Sequence, residues 1–193
     1  MTRPRAVVAL ASSAGGFHAL SVVLSALPRD VPAAVVIVQH LDRHHPSVLA
    51  ELLARRCRLA VRQASHGDEL REGVALVAPP DHHLLVAPDA SCSLTTTELV
   101  HFVRPSADLL FESVAAAFGD AATAVVLSGM GIDGSLGIAA VKERGGTVIA
   151  QDGAAEFIGM PAAAVATGIV DRVLPLERIA DAIVDVVGSG AVR

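Results

Sequence analysis

The segment Val7–Gly16, with the sequence VVALASSAGG, joins an apolar run to two serines and two glycines. The run has the small and β-branched residues of a buried strand. The residues that follow, GFHALSVVLSAL, have helical spacing up to Pro28. Such a turn holds a catalytic serine, cradles a phosphate group, or only connects a strand to a helix. The rest of the sequence has to distinguish among these three interpretations.

Strand and helix patterns alternate along most of the chain. Further strands are predicted at Ala33–Gln39, at Leu59–Ala64, in TAVVLS and in GTVIAQ, and further helices at Pro46–Arg56, in SADLLFESVAAAF, in GSLGIAAVKERG and in PLERIADAIVDVV. No linker or repeat divides residues 1–193. We therefore predict one domain of the α/β class, with three α/β/α layers around a mostly parallel, doubly wound sheet.

The middle of the sequence departs from this alternation. Residues Gly73–Thr96 contain short apolar runs separated by Pro-Pro-Asp and Pro-Asp-Ala turn signals, without room for a helix. We expect a small antiparallel hairpin at one edge of the sheet.

Composition excludes several classes of function. The net charge of −5 argues against nucleic acid as the main partner, because binding to phosphates needs a cationic surface. The apolar run near the N-terminus is too short to span a bilayer, so we expect no direct membrane insertion. Cys57 and Cys92 stand alone rather than in CxxC pairs, which favours a reducing compartment and a cytoplasmic location.

Three predicted strands end in residues that could share a site. Ser12 and Ser13 follow the first strand, His40 follows the second, and Asp133 lies in a glycine-rich loop after a later one. In parallel sheets, functional residues gather at the carboxyl ends of the strands. A hydroxyl, a base to take its proton and a carboxylate to orient the base are the parts of an acyl-transfer triad.

Each of these residues also has a simpler interpretation. The serines could be small residues in a tight turn, His40 a structural histidine, and Asp133 the N-cap of the helix after it. The residues alone leave both interpretations open. Two histidine clusters, His40 with His44 and His45 and the pair His82–His83, invite a metal-site interpretation. No Cys or Glu completes either cluster, so we predict no metal.

Seven ordered segments resemble the successive motifs of the catalytic domain of chemotaxis protein-glutamate methylesterases of the CheB type. They are VVALASSAGG, VIVQH, LVAPPDHHLL, VRPSADLLFESVA, VVLSGMGIDGSLG, VIAQD and IGMPAAAVATGIVDRVLPLERI. The GMGxDG element and the GMP segment are specific to this family. The resemblance covers nearly the whole chain and implies an α/β fold with a Ser–His–Asp triad.

Matched motif by motif, the resemblance implies that Ser13 is the nucleophile, His40 the base and Asp133 the orienting acid. In the family the serine precedes one residue and then two glycines, which selects Ser13 and leaves Ser12 as the fallback. The same resemblance suggests that the backbone amides of Ala14 and Met130 stabilise the oxyanion.

Arg104, in VRPSADLLF, fits another family motif. It would either grip an acidic receptor segment or cap its own loop. The implied chemistry needs no metal and no organic cofactor.

The resemblance implies hydrolysis of glutamate methyl esters on the cytoplasmic helices of methyl-accepting chemoreceptors, and some family members also deamidate receptor glutamines. Two departures qualify this expectation. Ala11 and Ala14 replace the usual glycine and threonine, and we expect the lost hydroxyl to slow the chemistry by about 10-fold. Ser13 also lies so near Met1 that we expect a stand-alone catalytic domain without an N-terminal receiver, controlled by another polypeptide such as a separate response regulator.

Two further functions compete with this one. A small-molecule esterase or amidase would keep the fold and change the substrate, and a noncatalytic module would only bind within a sensory complex. The phosphate-cradle interpretation of the first turn is disfavoured, because the turn lacks a GxGxxG pattern and a nearby lysine.

Overall fold

The computed structural model describes residues 3–189, so the ends of the predicted domain, 1–2 and 190–193, lie outside the described residues. Nine strands occur within the described part: β1 Val7–Ser12, β2 Ala34–Gln39, β3 Ala60–Gln63, β4 Val74–Val77, β5 His83–Val86, β6 Cys92–Thr95, β7 Ala122–Val126, β8 Thr147–Gln151 and β9 Arg172–Leu174. The α-helices are α1 Gly16–Ala26, α2 Leu49–Ala54, α3 Ala107–Phe118, α4 Gly137–Glu143, α5 Gly159–Ala166 and α6 Leu176–Ser189. A short 3-10 helix, Gly119–Ala121, precedes β7.

Seven of the strands form one parallel sheet in the order β3-β4-β2-β1-β7-β8-β9. The central strands β1, β2 and β7 are buried along their whole length, as their Val-, Ala- and Ile-rich sequences predict. The predicted doubly wound parallel sheet is confirmed.

The sheet separates two apolar cores. Side chains on one face of β1, such as Ala9 and Ala11, pack with α3, α4 and α5. Those on the other face, such as Val8 and Leu10, pack with α1, α2 and α6. This alternation follows from the two-residue period of a strand and produces the predicted α/β/α layers.

The winding of the chain reverses at β1. Its neighbours are β2 on one side and β7 on the other, and all three strands run in the same direction. The crevice outside the carboxyl ends of strands at such a reversal is where α/β folds place their sites. The sequence motifs around Ser13, His40 and Asp133 follow these three strands.

The predicted hairpin is present, but as a separate two-stranded sheet. β5 and β6 pair antiparallel and contribute Leu84, Val86 and Cys92 to the core against α3. The first apolar run of Gly73–Thr96 is not part of this hairpin. It forms β4, which pairs parallel with β2 and β3.

Helix α2 is shorter than predicted. It begins at Leu49 rather than near Pro46, and Ser47 Oγ accepts a hydrogen bond from the Leu49 amide at 3.1 Å. The side chain of Ser47 thus competes with the helix at its start. None of the helices within residues 3–189 has the length and apolar composition needed to cross a bilayer.

The contact between α3 and α4 depends on Gly137. A Cβ built there would lie 2.6 Å from the Asp108 carbonyl oxygen and 2.7 Å from Asp108 Cα, both backbone atoms. We expect Gly137→Ala to lower the free energy of unfolding by about 2 kcal/mol, since the two helices must separate. Gly153→Ala is the control, because a Cβ there meets nothing within 4 Å. Urea unfolding of both variants checks this, and equal stability would contradict the close packing.

Candidate active site

The turn after β1 is shaped by its two glycines. Gly15 has a φ of 71°, which favours glycine, and it precedes the first residue of α1. A Cβ at Gly16 would lie 1.9 Å from Gln39 Oε1. The amide of Gly16 donates to the Ser13 carbonyl at 2.9 Å, which closes the turn. The glycines thus allow the chain to bend sharply beside the end of β2.

The two serines of the turn belong to opposite faces of the sheet. Ser12 is fully buried and its hydroxyl donates to Gln39 Oε1 at 2.6 Å. Ser13 is partly exposed and continues the face of Ala11, toward the α3 layer. Because Ser12 pairs with Gln39 in the sheet register, Ser13 lies beside His40.

Gln39 joins the ends of the two strands and was missed by the sequence analysis. Its buried amide nitrogen, Nε2, donates to the carbonyl of Ser13 at 2.7 Å and to the carbonyl of His40 at 3.0 Å. One side chain thus fixes the backbone of both residues. The signal for this role is a polar residue that ends an otherwise apolar, buried strand.

His40 and Asp133 are in direct contact. His40 Nε2 lies 2.8 Å from Asp133 Oδ2, and the two side chains are 11 % and 3 % exposed. The His40 nitrogen left to face a substrate or a hydroxyl is therefore Nδ1. Within residues 3–189 no hydrogen bond joins the Ser13 hydroxyl to this ring. Contacts of this kind are often long in ligand-free enzymes and tighten when substrate binds.

Asp133 is held by the N-terminus of α3. Its carboxylate accepts hydrogen bonds from Ser106 Oγ at 2.8 Å, the Ala107 amide at 2.6 Å and the Asp108 amide at 3.2 Å. Burial opposes the charge of Asp133, but the hydrogen bonds from His40, Ala107 and Ser106 outweigh it and lower the pKa of this carboxyl. The arrangement keeps an ionised carboxylate beside His40.

The simpler interpretation of Asp133, as N-cap of the helix after it, is wrong. Asp108 fills that role: its Oδ1 accepts from the amides of Leu136 and Gly137, at 3.0 and 2.7 Å, at the start of α4. Ser106 occupies the predicted N-cap position of α3, but its hydroxyl donates to Asp133 instead of accepting an amide. Asp133 thus caps α3, whose first turn contains Asp108. Asp108 in turn caps α4, the helix that follows Asp133 in the sequence.

A second histidine completes this group. His101 Nε2 lies 3.0 Å from Asp108 Oδ2, and one ligand atom from each of His101, Asp108 and Asp133 fits within 4.8 Å. Burial raises the pKa of Asp108, the two amides that it caps lower it in part, and the charge of Asp133 raises it further. All three side chains already bind protein groups, so capping explains the cluster without a metal.

The loop after β7 approaches Ser13 closely. A Cβ at Gly129 would lie 2.9 Å from Ser13 Cβ and 2.3 Å from Met160 Sδ, so only glycine fits. Within residues 3–189, the amides of Ala14 and Met130 donate to no acceptor. The two predicted oxyanion donors therefore have no competing acceptor. Ala14 directly follows Ser13, and Met130 directly follows Gly129 in the loop after β7.

Arg104 is engaged within its own part of the structure. Its Nε and Nη2 donate to Asp81 Oδ1 at 3.0 and 2.6 Å, and Nη1 donates to the carbonyls of Thr96 and Thr97. The guanidinium group lowers the pKa of Asp81. These contacts favour the loop-capping alternative over a role in gripping the substrate.

The capping by Asp133 predicts a pH-dependent contribution to stability. We expect Asp133→Asn to lower the free energy of unfolding by about 1–3 kcal/mol at pH 7, because an amide cannot accept every hydrogen bond that the carboxylate accepts. The folded-state pKa of Asp133 is lowered, so its contribution is complete above the pKa of an unfolded aspartate, about 3.9, and is lost as the pH falls through the folded-state pKa. Urea unfolding at pH 7, 5 and 3 should show a difference in the free energy of unfolding between wild type and Asp133→Asn that narrows only below about pH 4. A difference that stays constant would contradict the ionised cap.

Comparison with known proteins identifies the family and the fold. The family model described as CheB methylesterase matches residues 8–183. The crystal structure of the Thermotoga maritima CheB methylesterase catalytic domain superposes with a TM-score of 0.90 at 33 % identity, over 96 % of this chain and 99 % of that one.

Curated relatives are similar over part of their length. Proteins named protein-glutamate methylesterase/protein-glutamine glutaminase from Moorella thermoacetica and Symbiobacterium thermophilum are 46 % and 40 % identical, over 95 % and 97 % of this chain. The matches span 45 % and 52 % of those relatives, so the chain spans about half of their length. With a family match over most of its residues and the same fold, the chain belongs to the CheB methylesterase family.

Proposed function

We propose that this chain hydrolyses methyl esters of glutamate side chains in proteins. Ser13 is the nucleophile, His40 the general base and Asp133 the carboxylate that orients the base. The observation that carries the proposal is the 2.8 Å contact between His40 and Asp133, on the face of the sheet where Ser13 follows β1. The names of the relatives, protein-glutamate methylesterase/protein-glutamine glutaminase, support the same reaction.

The reaction proceeds through an acyl-enzyme. Ser13 Oγ attacks the ester carbonyl carbon as its proton passes to His40 Nδ1, the ring nitrogen that does not face Asp133. The tetrahedral intermediate collapses, the bond to the methoxy oxygen breaks, and the proton on Nδ1 leaves with it as methanol. Water then attacks the glutamyl-enzyme, again giving its proton to Nδ1, and that proton returns to Ser13 Oγ when glutamate is released.

The amides of Ala14 and Met130 stabilise the oxyanion. Their lack of acceptors within the described part of the chain leaves them free to donate to the charged oxygen. Ala14 offers only its amide, since its side chain has no hydroxyl. The expected rate penalty of about 10-fold relative to a threonine at this position follows from one lost hydrogen bond.

Because of its buried hydrogen bonds, Asp133 stabilises the positive charge of protonated His40 and does not take the proton itself. Its lowered pKa keeps it ionised while His40 gains and loses a proton. The same acyl-enzyme forms from a glutamine side chain with ammonia as the leaving group. The glutaminase part of the relatives' names supports this second substrate.

The protein substrate is the cytoplasmic helices of methyl-accepting chemoreceptors, and the chain acts in the cytoplasm as a single catalytic domain over residues 1–193. A separate response regulator is the proposed source of control. Family membership supports the receptor substrate, and a binding function without catalysis would need the buried His40–Asp133 pair to serve no chemistry.

The two serines provide a matched test. Methanol release from radiolabelled, methylated chemoreceptor membranes is measured for wild type, Ser13→Ala and Ser12→Ala. We expect Ser13→Ala to lower kcat by at least about 1,000-fold, because the acyl-enzyme can no longer form. We expect Ser12→Ala to retain most of the activity and to lose about 1 kcal/mol of stability, since only its hydrogen bond to Gln39 is removed.

Each outcome bears on a different part of the proposal. Loss of release only in Ser12→Ala would mean that the nucleophile is assigned one residue too far. A wild-type protein that cleaves short esters but releases no methanol from receptors would favour a small-molecule esterase. No hydrolysis of either substrate would favour a noncatalytic binding module.

A further inference from the structure

A tight turn beside Asp108 exposes an aromatic ring. The amide of Val103 donates to the carbonyl of Val100 at 2.9 Å, and the amide of Val100 donates back at 3.2 Å. The two residues between them, His101 and Phe102, have φ values of 49° and 65°. Turns of this geometry normally contain Asn and Gly, so an imidazole and a phenyl ring here are unusual.

The two side chains of the turn have opposite surroundings. His101 binds Asp108 from the solvent side, and one of its ring nitrogens lies within 4.8 Å of a carboxylate oxygen of Asp133. Phe102 is 94 % exposed, the most exposed large apolar side chain among residues 3–189. The contact with Asp108 fixes the turn beside Asp133, and the phenyl ring of Phe102 faces solvent.

Other exposed apolar side chains belong to the loop that carries Asp133. Met130, Ile132 and Leu136 are 63 %, 52 % and 63 % exposed. This loop begins at Gly129 against Ser13 and reaches Asp108 at the Leu136 amide. We call these residues and Phe102 the apolar rim: Met130 follows Gly129, which lies against Ser13, while Leu136 and His101, the neighbour of Phe102, both bind Asp108.

We propose that Phe102 is a specificity-determining residue that contacts apolar side chains flanking the esterified glutamate in the protein substrate. The inference rests on the proposed function, because only a polypeptide substrate extends beyond the reacting ester. A polypeptide bound at Ser13 would first meet Met130, because the neighbouring Gly129 lies against Ser13, and would then extend along the rim. A helix that presents apolar residues on either side of its glutamate fits an apolar surface at that place.

The chemistry of the turn supports this role. A residue held with positive φ and exposed to water contributes little to the core, so folding does not account for a phenyl ring there. Aromatic side chains at interfaces contribute most when they bury a large, rigid surface. A small ester occupies only the space near Ser13 and has no group that reaches Phe102.

The test measures the activity of wild type and three variants on two substrates. Two rates are measured: hydrolysis of glutamate methyl esters in methylated chemoreceptor membranes, and hydrolysis of p-nitrophenyl acetate. The proteins compared are wild type, Phe102→Ala, Phe102→Tyr and the control Val184→Ala. Val184 is exposed on α6, which packs on the opposite layer. Alanine keeps a Cβ, so the backbone of the turn meets the same steric conditions in Phe102→Ala. Thermal unfolding verifies that each variant is folded.

We expect Phe102→Ala to lower kcat/KM for receptor membranes by about 10-fold or more, chiefly through KM, while p-nitrophenyl acetate hydrolysis stays unchanged. Phe102→Tyr keeps the ring and should retain most of the receptor activity, and Val184→Ala should match wild type on both substrates. Equal activity of Phe102→Ala and wild type on receptors would overturn this inference alone. A parallel loss on both substrates would also overturn it, since the residue would then act through the catalytic group.

Two outcomes separate this inference from others. A change in oligomeric state of Phe102→Ala by size-exclusion chromatography would assign the rim to a second copy of the chain and overturn the substrate contact. A wild-type protein that hydrolyses p-nitrophenyl acetate but not receptor esters would overturn the proposed substrate, and the inference with it.

Discussion

Two buried aspartates hold helices α3 and α4 together beside His40, because Asp133 caps α3 and Asp108 caps α4. Asp133 binds the N-terminus of α3, and Asp108, in the first turn of α3, binds the N-terminus of α4. Helix N-termini carry unpaired amides and partial positive charge, so each carboxylate satisfies groups that would otherwise be buried without partners. The Gly137 contact brings the helices close enough for this capping. Moving either helix would displace the acid from His40.

The same capping hydrogen bonds offset the repulsion between the carboxylates of Asp108 and Asp133. Two carboxylates within a few ångströms repel each other, and burial makes both charges costly. Hydrogen bonds are distributed unequally: Asp133 receives those of His40, Ser106 and α3, while the pKa of Asp108 is raised by burial and by its neighbour. The charge therefore resides most firmly on Asp133, the carboxyl in contact with His40. His101 binds the other carboxyl from the solvent side.

Much of this architecture follows from local sequence pattern. Apolar strand runs and amphipathic helices predict the layers, and the rule for parallel sheets predicts where Ser13 and His40 lie. Partnerships across the fold do not follow from spacing. Asp133 has the sequence context of a cap for α4, yet it caps α3, and β4 has the context of a hairpin strand, yet it joins the main sheet. Both outcomes depend on which segments pack together, and a local pattern carries no information about that.

At two places near the site, adjacent residues have side chains in different surroundings. Ser12 and Ser13 differ by one step along a pleated strand, so one hydroxyl is buried against Gln39 and the other faces the crevice. His101 and Phe102 differ by one step around a turn, so one ring contacts Asp108 and the other faces solvent. In each pair the side chain of the first residue hydrogen-bonds a neighbouring side chain, and within residues 3–189 the side chain of the second makes no such hydrogen bond. A side chain without such a bond is free for the roles proposed above, as nucleophile at Ser13 and in substrate recognition at Phe102.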